Sequence, residues 1–418
     1  MYMYGYENDF IEVKRENDSY VIYNSYSNKV IALDYRGYYL LKQLINEGRN
    51  NNGMINQNNE ETKIFLEALN KLGILFNSYE SYKSMDFSLS YKKLNHFKPH
   101  KAYLHLTQRC NLNCLYCYNK NNLGKNEEIS TEQWKMIISE LKNRGFDYIV
   151  FTGGEVTLRN DYIELAKFVH NLSMELHILT NGTHKIPKEV FEYATSIEIS
   201  IDNMNEESNA KLRLGSNRYK VIDYISGYSF RDKRKIVIKT VVSKNNQDDI
   251  EKMKEKLKSI GITNFMFMPC QPINKGDETY PTKIVKRDLH KFDAGRVAKC
   301  NGCYDVIAIN SDGNIFPCQA LIKNEFRITS IFREGWYEDI RNNNITKIFL
   351  DDTIISNKCK DCMYKYLCGG PCKAAAYNYC GDMLDGRENY CDFAKKECDE
   401  YLRSINFLGE YNDEKKQV

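Results

Sequence analysis

The chain has no long apolar run, few prolines and almost no excess charge, and each absence narrows what it can be. No stretch supplies the roughly 20 consecutive apolar residues a bilayer-spanning helix needs, so no membrane partner is expected. The N-terminus, Met1-Tyr-Met-Tyr-Gly-Tyr-Glu-Asn-Asp9, lacks the basic-then-apolar order of an export signal, and a cytoplasmic location is the expectation. Lys and Arg total 59 against 56 Asp and Glu, a net charge of +3 over 418 residues. That excess is too small to argue for nucleic acid, and none is expected as a partner. Seven prolines and plentiful Asn, Lys, Ile and Tyr carry no functional message. Cysteine is missing before Cys110, yet 14 lie from there onward. A reducing compartment disfavours structural disulfides, so cysteine clusters here read as metal or redox ligands. The length suits two or three domains.

The run that organises the rest is Thr107-Gln-Arg-Cys110-Asn-Leu-Asn-Cys114-Leu-Tyr-Cys117. It follows a strand-like segment, Ala102 to Leu106, and precedes a helix. A short loop of this spacing turns three sulfurs onto one centre. Three ligands are the informative number. A structural zinc site is closed by four, and a ferredoxin-type cluster takes four cysteines. A cube held by three leaves one iron open. Three incidental buried cysteines are the ordinary alternative, and this spacing after a strand argues against it.

Upstream, Asp9 to Lys14, Ser19 to Asn24 and Val30 to Asp34 read as strands. Tyr38, Leu41, Leu44 and Ile45, then Phe65, Leu66, Leu69 and Leu72, recur at helical spacing. Gly73 suits a left-handed helix end, with Ile74 to Phe76 after it. These elements predict a small α+β domain. Glu80 to Pro99 reads as a linker.

Downstream, strands at Tyr148–Thr152, Leu176–Thr180, Ser196–Ile201, Ile236–Val242 and Asn264–Met268 alternate with helices. One helix opens with the capping box Ser130-Thr-Glu-Gln133, one runs from Tyr162 to Asn171, and one starts at Asp248 and stops at Gly261. Six such units predict a parallel sheet with crossovers, its function at the C-terminal strand ends. Polar residues collect there. Gly153-Gly154-Glu155 follows the second strand, where missing side chains expose backbone to a ligand. Asn181 ends the third strand. Ser200 and Asp202 end the fourth, two apart and so on one face. Arg213 follows. Cys270 reads as a packing cysteine.

Ten cysteines lie between Cys300 and Cys398. Cys303 is followed by nine residues, Gly313, four residues and Cys318. Then come Cys359-x2-Cys362-x5-Cys368-x3-Cys372, and Cys391. Asp312-Gly313 marks a hairpin turn that places Cys318 on the returning strand.

The cysteine loop, with Tyr116 at its aromatic position, resembles the signature of the radical S-adenosylmethionine (SAM) enzymes. The resemblance implies that Cys110, Cys114 and Cys117 hold a [4Fe–4S] cluster whose open iron binds SAM. It implies a fold of class α/β, a partial (β/α)6 barrel. It gives Gly153, Gly154 and Glu155 the methionine amine, Asn181, Ser200 and Asp202 cofactor contacts that include the ribose, and Arg213 the methionine carboxylate. The family has Gly where Leu214 stands. The C-terminal pattern resembles the SPASM extension of these enzymes, which implies two auxiliary [4Fe–4S] clusters. Cys359, Cys362, Cys368 and Cys391 would hold one, and Cys300, Cys303, Cys318 and Cys372 the other. Cys380 and Cys398 are left over. The N-terminal segment looks like the winged-helix element by which modifiers of ribosomally made peptides bind a leader peptide as an added strand. A packing or dimerisation domain is the plainer alternative.

The expected organisation is therefore 1–92 for peptide recognition, 93–299 for the barrel and 300–418 for the SPASM domain. The expected function is maturation of a precursor peptide by a SAM-derived radical, with a Cys thioether as the bond formed and flavodoxin or ferredoxin as electron donor. Carbon–carbon cross-linking fits the sequence equally well. A sulfatase-maturating, formylglycine-forming enzyme is a second reading. A zinc-binding peptide carrier or regulator is a third, because Cys359, Cys362, Cys368 and Cys372 also suit a zinc knuckle.

Overall fold

The computed structural model describes residues 10–15, 18–50, 60–75, 97–124, 128–274, 281–283, 300–350, 359–384 and 388–404. Residues 80–96 of the expected linker lie outside them, as do Asp9 and Phe76.

In chain order the strands are β1 (Phe10–Lys14), β2 (Tyr20–Asn24), β3 (Lys29–Leu33), β4 (Lys101–Thr107), β5 (Asn113–Cys114), β6 (Tyr148–Gly153) and β7 (Glu175–Thr180). They continue with β8 (Ser196–Ser200), β9 (Arg213–Leu214), β10 (Ile236–Val242), β11 (Asn264–Pro269), β12 (Val306–Ile309), β13 (Asn314–Phe316) and β14 (Thr329–Ser330).

The six parallel strands β4, β6, β7, β8, β10 and β11 are neighbours in chain order, as expected of a singly wound β/α sheet. Alternation decides their two faces. Ala102, Leu104 and Leu106 of β4, Ile149 and Phe151 of β6, and Ile197 and Ile199 of β8 point out against the helices. There they meet Trp134, Ile137, Ile138 and Leu141 of the helix Thr131–Asn143. Ser130 starts that helix with the anticipated reciprocal capping box. The helix expected from Asp248 starts at Ile250, with Asp249 at its N-cap position.

Two features exceed the sequence reading. β12 pairs in parallel with β4, and β13 and β14 follow antiparallel, so the barrel sheet runs on into the segment after residue 300. Cys318 lies two residues past β13, in a bend rather than on the returning strand, because that strand ends at Phe316.

The N-terminal part is an antiparallel sheet in the order β1-β2-β3, followed by the helices Tyr35–Asn50 and Glu60–Lys71. Gly73 ends the second with φ +70°, a conformation that costs glycine little. One sheet face packs Phe10 and Ile22 onto Leu41, Leu44, Leu66 and Leu69. The other packs Ile11, Val13, Val21 and Tyr23 onto Leu367, Cys398, Tyr401 and Leu402. Tyr401 and Leu402 belong to the helix Glu388–Ser404, so the sheet sits between its own helices and the cysteine-bearing C-terminal segment. Leu402→Ala is expected to cost about 2–5 kcal/mol, the range for truncating a buried leucine. Faster amide hydrogen exchange in β1 and β2, with β6 and β7 unchanged, is the signature to measure.

Candidate functional site

The site begins with a close backbone approach. The amide of Gly154 donates to Thr107 O at 2.8 Å, and that of Glu155 to Arg109 O at 2.7 Å. The loop after β6 is thereby stitched to the start of the cysteine loop. A Cβ on Gly153 would lie 2.2 Å from Thr107 O, and one on Gly154 would lie 2.1 Å from Arg109 O and 3.1 Å from Cys110 Cβ. The glycines are thus required by the neighbouring chain, an explanation the sequence alone could not supply.

Glu155 is buried, and its carboxylate is engaged. It accepts from Thr157 N (3.1 Å), Thr157 Oγ1 (2.7 Å), Thr180 Oγ1 (2.6 Å) and Asn181 N (2.7 Å). It therefore ties the β6 end to the β7 end. Asn181 in turn donates through Nδ2 to Asn111 Oδ1 at 2.8 Å, reaching into the cysteine loop. Asn119 Nδ2 donates to Gln108 Oε1 at 2.7 Å, and Asn122 Nδ2 to Ile322 O at 2.7 Å. These amides hold the loop from both sides, and nothing in the sequence pattern distinguished them from surface asparagines.

A second ladder fastens the middle of the loop. Cys114 of β5 pairs with Arg213 of β9, and Leu115 N donates to Leu212 O at 3.0 Å. Arg213 is buried and joins Tyr116 and Asp202. Its Nη1 donates to Tyr116 Oη at 2.9 Å and stands 3.5 Å from Asp202 Oδ2, while Tyr116 Oη donates to the same Oδ2. Asp202 Oδ1 accepts from Val241 N at 2.9 Å. The Asp202 carboxylate is therefore engaged by protein donors rather than held beside Ser200, which ends β8. Burial works against the charge of Arg213, but Tyr116, Asp202 and Cys114 outweigh it and raise its pKa. Its Nε is buried with no hydrogen-bond partner.

The cysteines form three neighbourhoods, and none of the 14 is in a disulfide. Burial raises the thiols of Cys110 and Cys114 and pushes Cys117 up to about 11, and Cys110 and Cys114 add to the rise at Cys117. Arg213 opposes the rise at all three. Cys318 lies within electrostatic reach of Cys300, Cys372 and Cys303. Lys373, buried and donating to Phe349 O at 3.0 Å, is near Cys303. Cys368 lies near Cys359 and Cys391, and buried Cys398 near Cys368 and Cys362. Cys398, left over in the sequence reading, thus joins the third neighbourhood. Cys380 is exposed at the end of the helix Lys373–Cys380, and Cys270 is buried just past β11.

Among the described residues no three His, Cys, Asp or Glu side chains already form a closed metal site. The donor chemistry nevertheless fits an iron–sulfur group and a SAM carboxylate. Three thiols share one loop, a buried cation lowers the cost of their thiolates, and one donor of that cation, Nε, has no hydrogen-bond partner.

Residues 104–272 match the family model described as the radical SAM superfamily. Over 322 residues the chain is 25% identical to mycofactocin maturase MftC of Mycolicibacterium smegmatis, covering 68% of this chain and 81% of the relative. It is 27% identical over 335 residues to the subtilosin biosynthesis protein AlbA of Bacillus subtilis, covering 72% of each. The cysteine-type anaerobic sulfatase-maturating enzyme of Clostridium novyi is 28% identical over 323 residues, 64% of this chain and 86% of that one. Among solved structures, Streptococcus suis SuiB bound to SAM superposes with TM-score 0.56 at 17% identity, covering 93% of this chain and 100% of that one. The segment 104–272 is thus similar to the radical SAM superfamily, and the chain is similar to proteins named as a mycofactocin maturase, a subtilosin biosynthesis protein and a sulfatase-maturating enzyme.

Gly154→Ala forces its Cβ into Arg109 O and is expected to lower thermal stability, measurable by thermal melts of the purified protein. The metal-free protein should weaken at alkaline pH. Cys117 titrates near 11 when folded, above the ordinary thiol value of 9.0, so its contribution is complete below pH 9 and fades as pH passes 11. Thermal melts from neutral pH to pH 11 check this. Metal binding is expected to release protons from the same thiols.

Proposed function

We propose that this is a SAM-dependent radical maturase that installs a cross-link, a Cys thioether, in a ribosomally made precursor peptide. The observation that carries it is the loop Cys110-x3-Cys114-x2-Cys117 lodged at the C-terminal ends of β4 and β6, with Arg213 against all three thiols. Cys110, Cys114 and Cys117 would hold a [4Fe–4S] cluster. Its chemistry, with SAM bound, is reductive cleavage to methionine and a 5′-deoxyadenosyl radical able to take hydrogen from carbon.

The chain's own residues position the reactants. Backbone carbonyls at Gly153 and Gly154 would accept from the SAM amine, while Glu155 keeps that loop rigid through its four hydrogen bonds. Arg213, whose buried Nε has no hydrogen-bond partner, would pair with the SAM carboxylate. Ser200 and Asn181 would line the ribose side, and Asp202 holds Arg213 and Tyr116 in place. Cys300, Cys303, Cys318 and Cys372, and Cys359, Cys362, Cys368 and Cys391, would hold two auxiliary [4Fe–4S] clusters. A ferredoxin or flavodoxin would supply electrons. The N-terminal sheet, with β1 and β3 as edges, would take a leader peptide as a further strand. The relatives named for mycofactocin and subtilosin biosynthesis support a peptide substrate.

Formylglycine formation in a sulfatase is the second reading, favoured by the sulfatase-maturase relative. Mass spectrometry separates them: a cross-link removes two hydrogens from the peptide, while formylglycine from cysteine also removes sulfur. Anaerobic reconstitution, iron and sulfide analysis and assay of 5′-deoxyadenosine test the shared core. A protein that carries only zinc and leaves SAM intact would end the radical reading in favour of a zinc carrier. Cys114→Ala is expected to abolish 5′-deoxyadenosine. Arg213→Met should raise the SAM concentration for half-saturation by about tenfold, in line with losing a hydrogen bond from a charged group.

A further inference from the structure

The inner face of the barrel sheet carries polar groups that none of the roles above uses. In β8 the sequence Ser196-Ile-Glu-Ile-Ser200 alternates, so Ile197 and Ile199 pack outward and Glu198 turns into the lumen. In β10, Ile236 and Ile238 pack outward and Lys239 turns inward. Lys239 Nζ meets Glu198 Oε2 at 2.7 Å, with side-chain exposures of 27% and 11%. From across the lumen, Tyr103 of β4 and Tyr118 lie within electrostatic reach of Glu198. Tyr118 is 41% exposed, and its ring stands edge-on to His105 with centroids 6.5 Å apart. His105, on the inner face of β4, is fully buried, and neither ring nitrogen has a hydrogen-bond partner. An unmatched buried imidazole costs free energy and calls for a reason. Met266 and Met268 of β11 are exposed on the same inner face and leave the lumen an apolar flank at the sheet edge.

We propose that Glu198 and Lys239, with Tyr118 near Glu198 and His105 against Tyr118, form a donor–acceptor site in the barrel lumen that binds an amide group. The ion pair is charge-balanced, so an ionic guest would bring an uncompensated charge into a partly desolvated place. A group that donates and accepts through two neighbouring atoms can satisfy Glu198 and Lys239 together, and an amide does this. His105 matches the same chemistry. Burial lowers its pKa to about 3, so its ring is neutral and offers one N–H and one lone pair. Two sources carry this chemistry, an Asn or Gln side chain and a backbone amide. That the amide belongs to a peptide rests on the function proposed above; the site itself does not.

The test uses the full-length, metal-loaded protein and three small probes. Propionamide stands for a side-chain carboxamide, N-methylacetamide for a backbone amide, and methyl acetate for the same shape without an N–H donor. Acetylation of Lys239 by acetic anhydride is followed by peptide mass spectrometry, with Lys258, exposed on an outer helix, as the internal reference. At saturating concentrations an amide should slow Lys239 acetylation about threefold or more, since protection scales as 1 + [L]/Kd. Lys258 should be unaffected. Protection by propionamide alone assigns a side chain, and protection by N-methylacetamide assigns the backbone; either upholds the site. Equal protection by methyl acetate, or none by either amide, overturns it. Glu198→Leu should abolish the protection, and persistence of protection in a folded Glu198→Leu protein also overturns it. If that variant fails to fold, the three-probe comparison on the unmutated chain still decides. No radical chemistry enters the measurement, so a failure here and a failure of SAM cleavage are read separately.

Discussion

The arrangement depends on two backbone segments running closer together than side chains allow. Gly153 and Gly154 bring the β6 end against Thr107 and Arg109, and two amides then donate across the gap. Hydrogen bonds of this kind are modest singly, roughly 1 kcal/mol net. Here they act together with the buried Glu155 carboxylate, which joins the β6 and β7 ends. The cysteine loop is therefore a fixed part of the barrel's rim. Its sulfurs are held near one another by the sheet, and the loop's own spacing is only part of the reason.

Arg213 is the electrostatic counterpart of that contact. A buried guanidinium is costly unless paired, and this one is paired with Asp202 through Tyr116 and directly. Its position beside three thiols follows from the short β5–β9 ladder, which sets Cys114 opposite Arg213. The chain beyond residue 300 is bound to the same rim. β12 extends the sheet at β4, and Asn122 and Gln108 reach Ile322 and Asn310. The N-terminal sheet closes the molecule from another side by packing on Leu367, Cys398, Tyr401 and Leu402. The thiol neighbourhoods are thus joined through shared elements, and the N-terminal sheet is continuous with the third of them.

Much of the barrel was legible because its signals are local. Ile236–Val242 and Tyr162–Asn171 were read to the residue, since a β-branched run and a 3.6-residue periodicity each speak for themselves. Ser130 announced its helix through a four-residue cap. Cys318 was misplaced because the Asp312-Gly313 turn predicts a hairpin but not where the return strand stops. Glu198, Lys239 and His105 were overlooked although each sits at a polar position between outward-packing neighbours, apolar on both sides for Glu198 and His105, and Ile238 and Thr240 for Lys239. That alternation was used to find the strands and not to ask what the other face holds.

Composition and spacing alone determined that this chain builds a run of β/α units with thiol loops at their ends, because strand alternation, helix caps and ligand spacing are written in neighbouring residues. Only the tertiary structure decided that Asp202 serves Arg213 and Tyr116, that Cys398 keeps company with Cys362 and Cys368, and that the N-terminal sheet lies on the C-terminal helix. Each of those is a contact between segments far apart in the chain, and the free energy of such contacts comes from burial and desolvation at a particular place in space, which linear order does not encode.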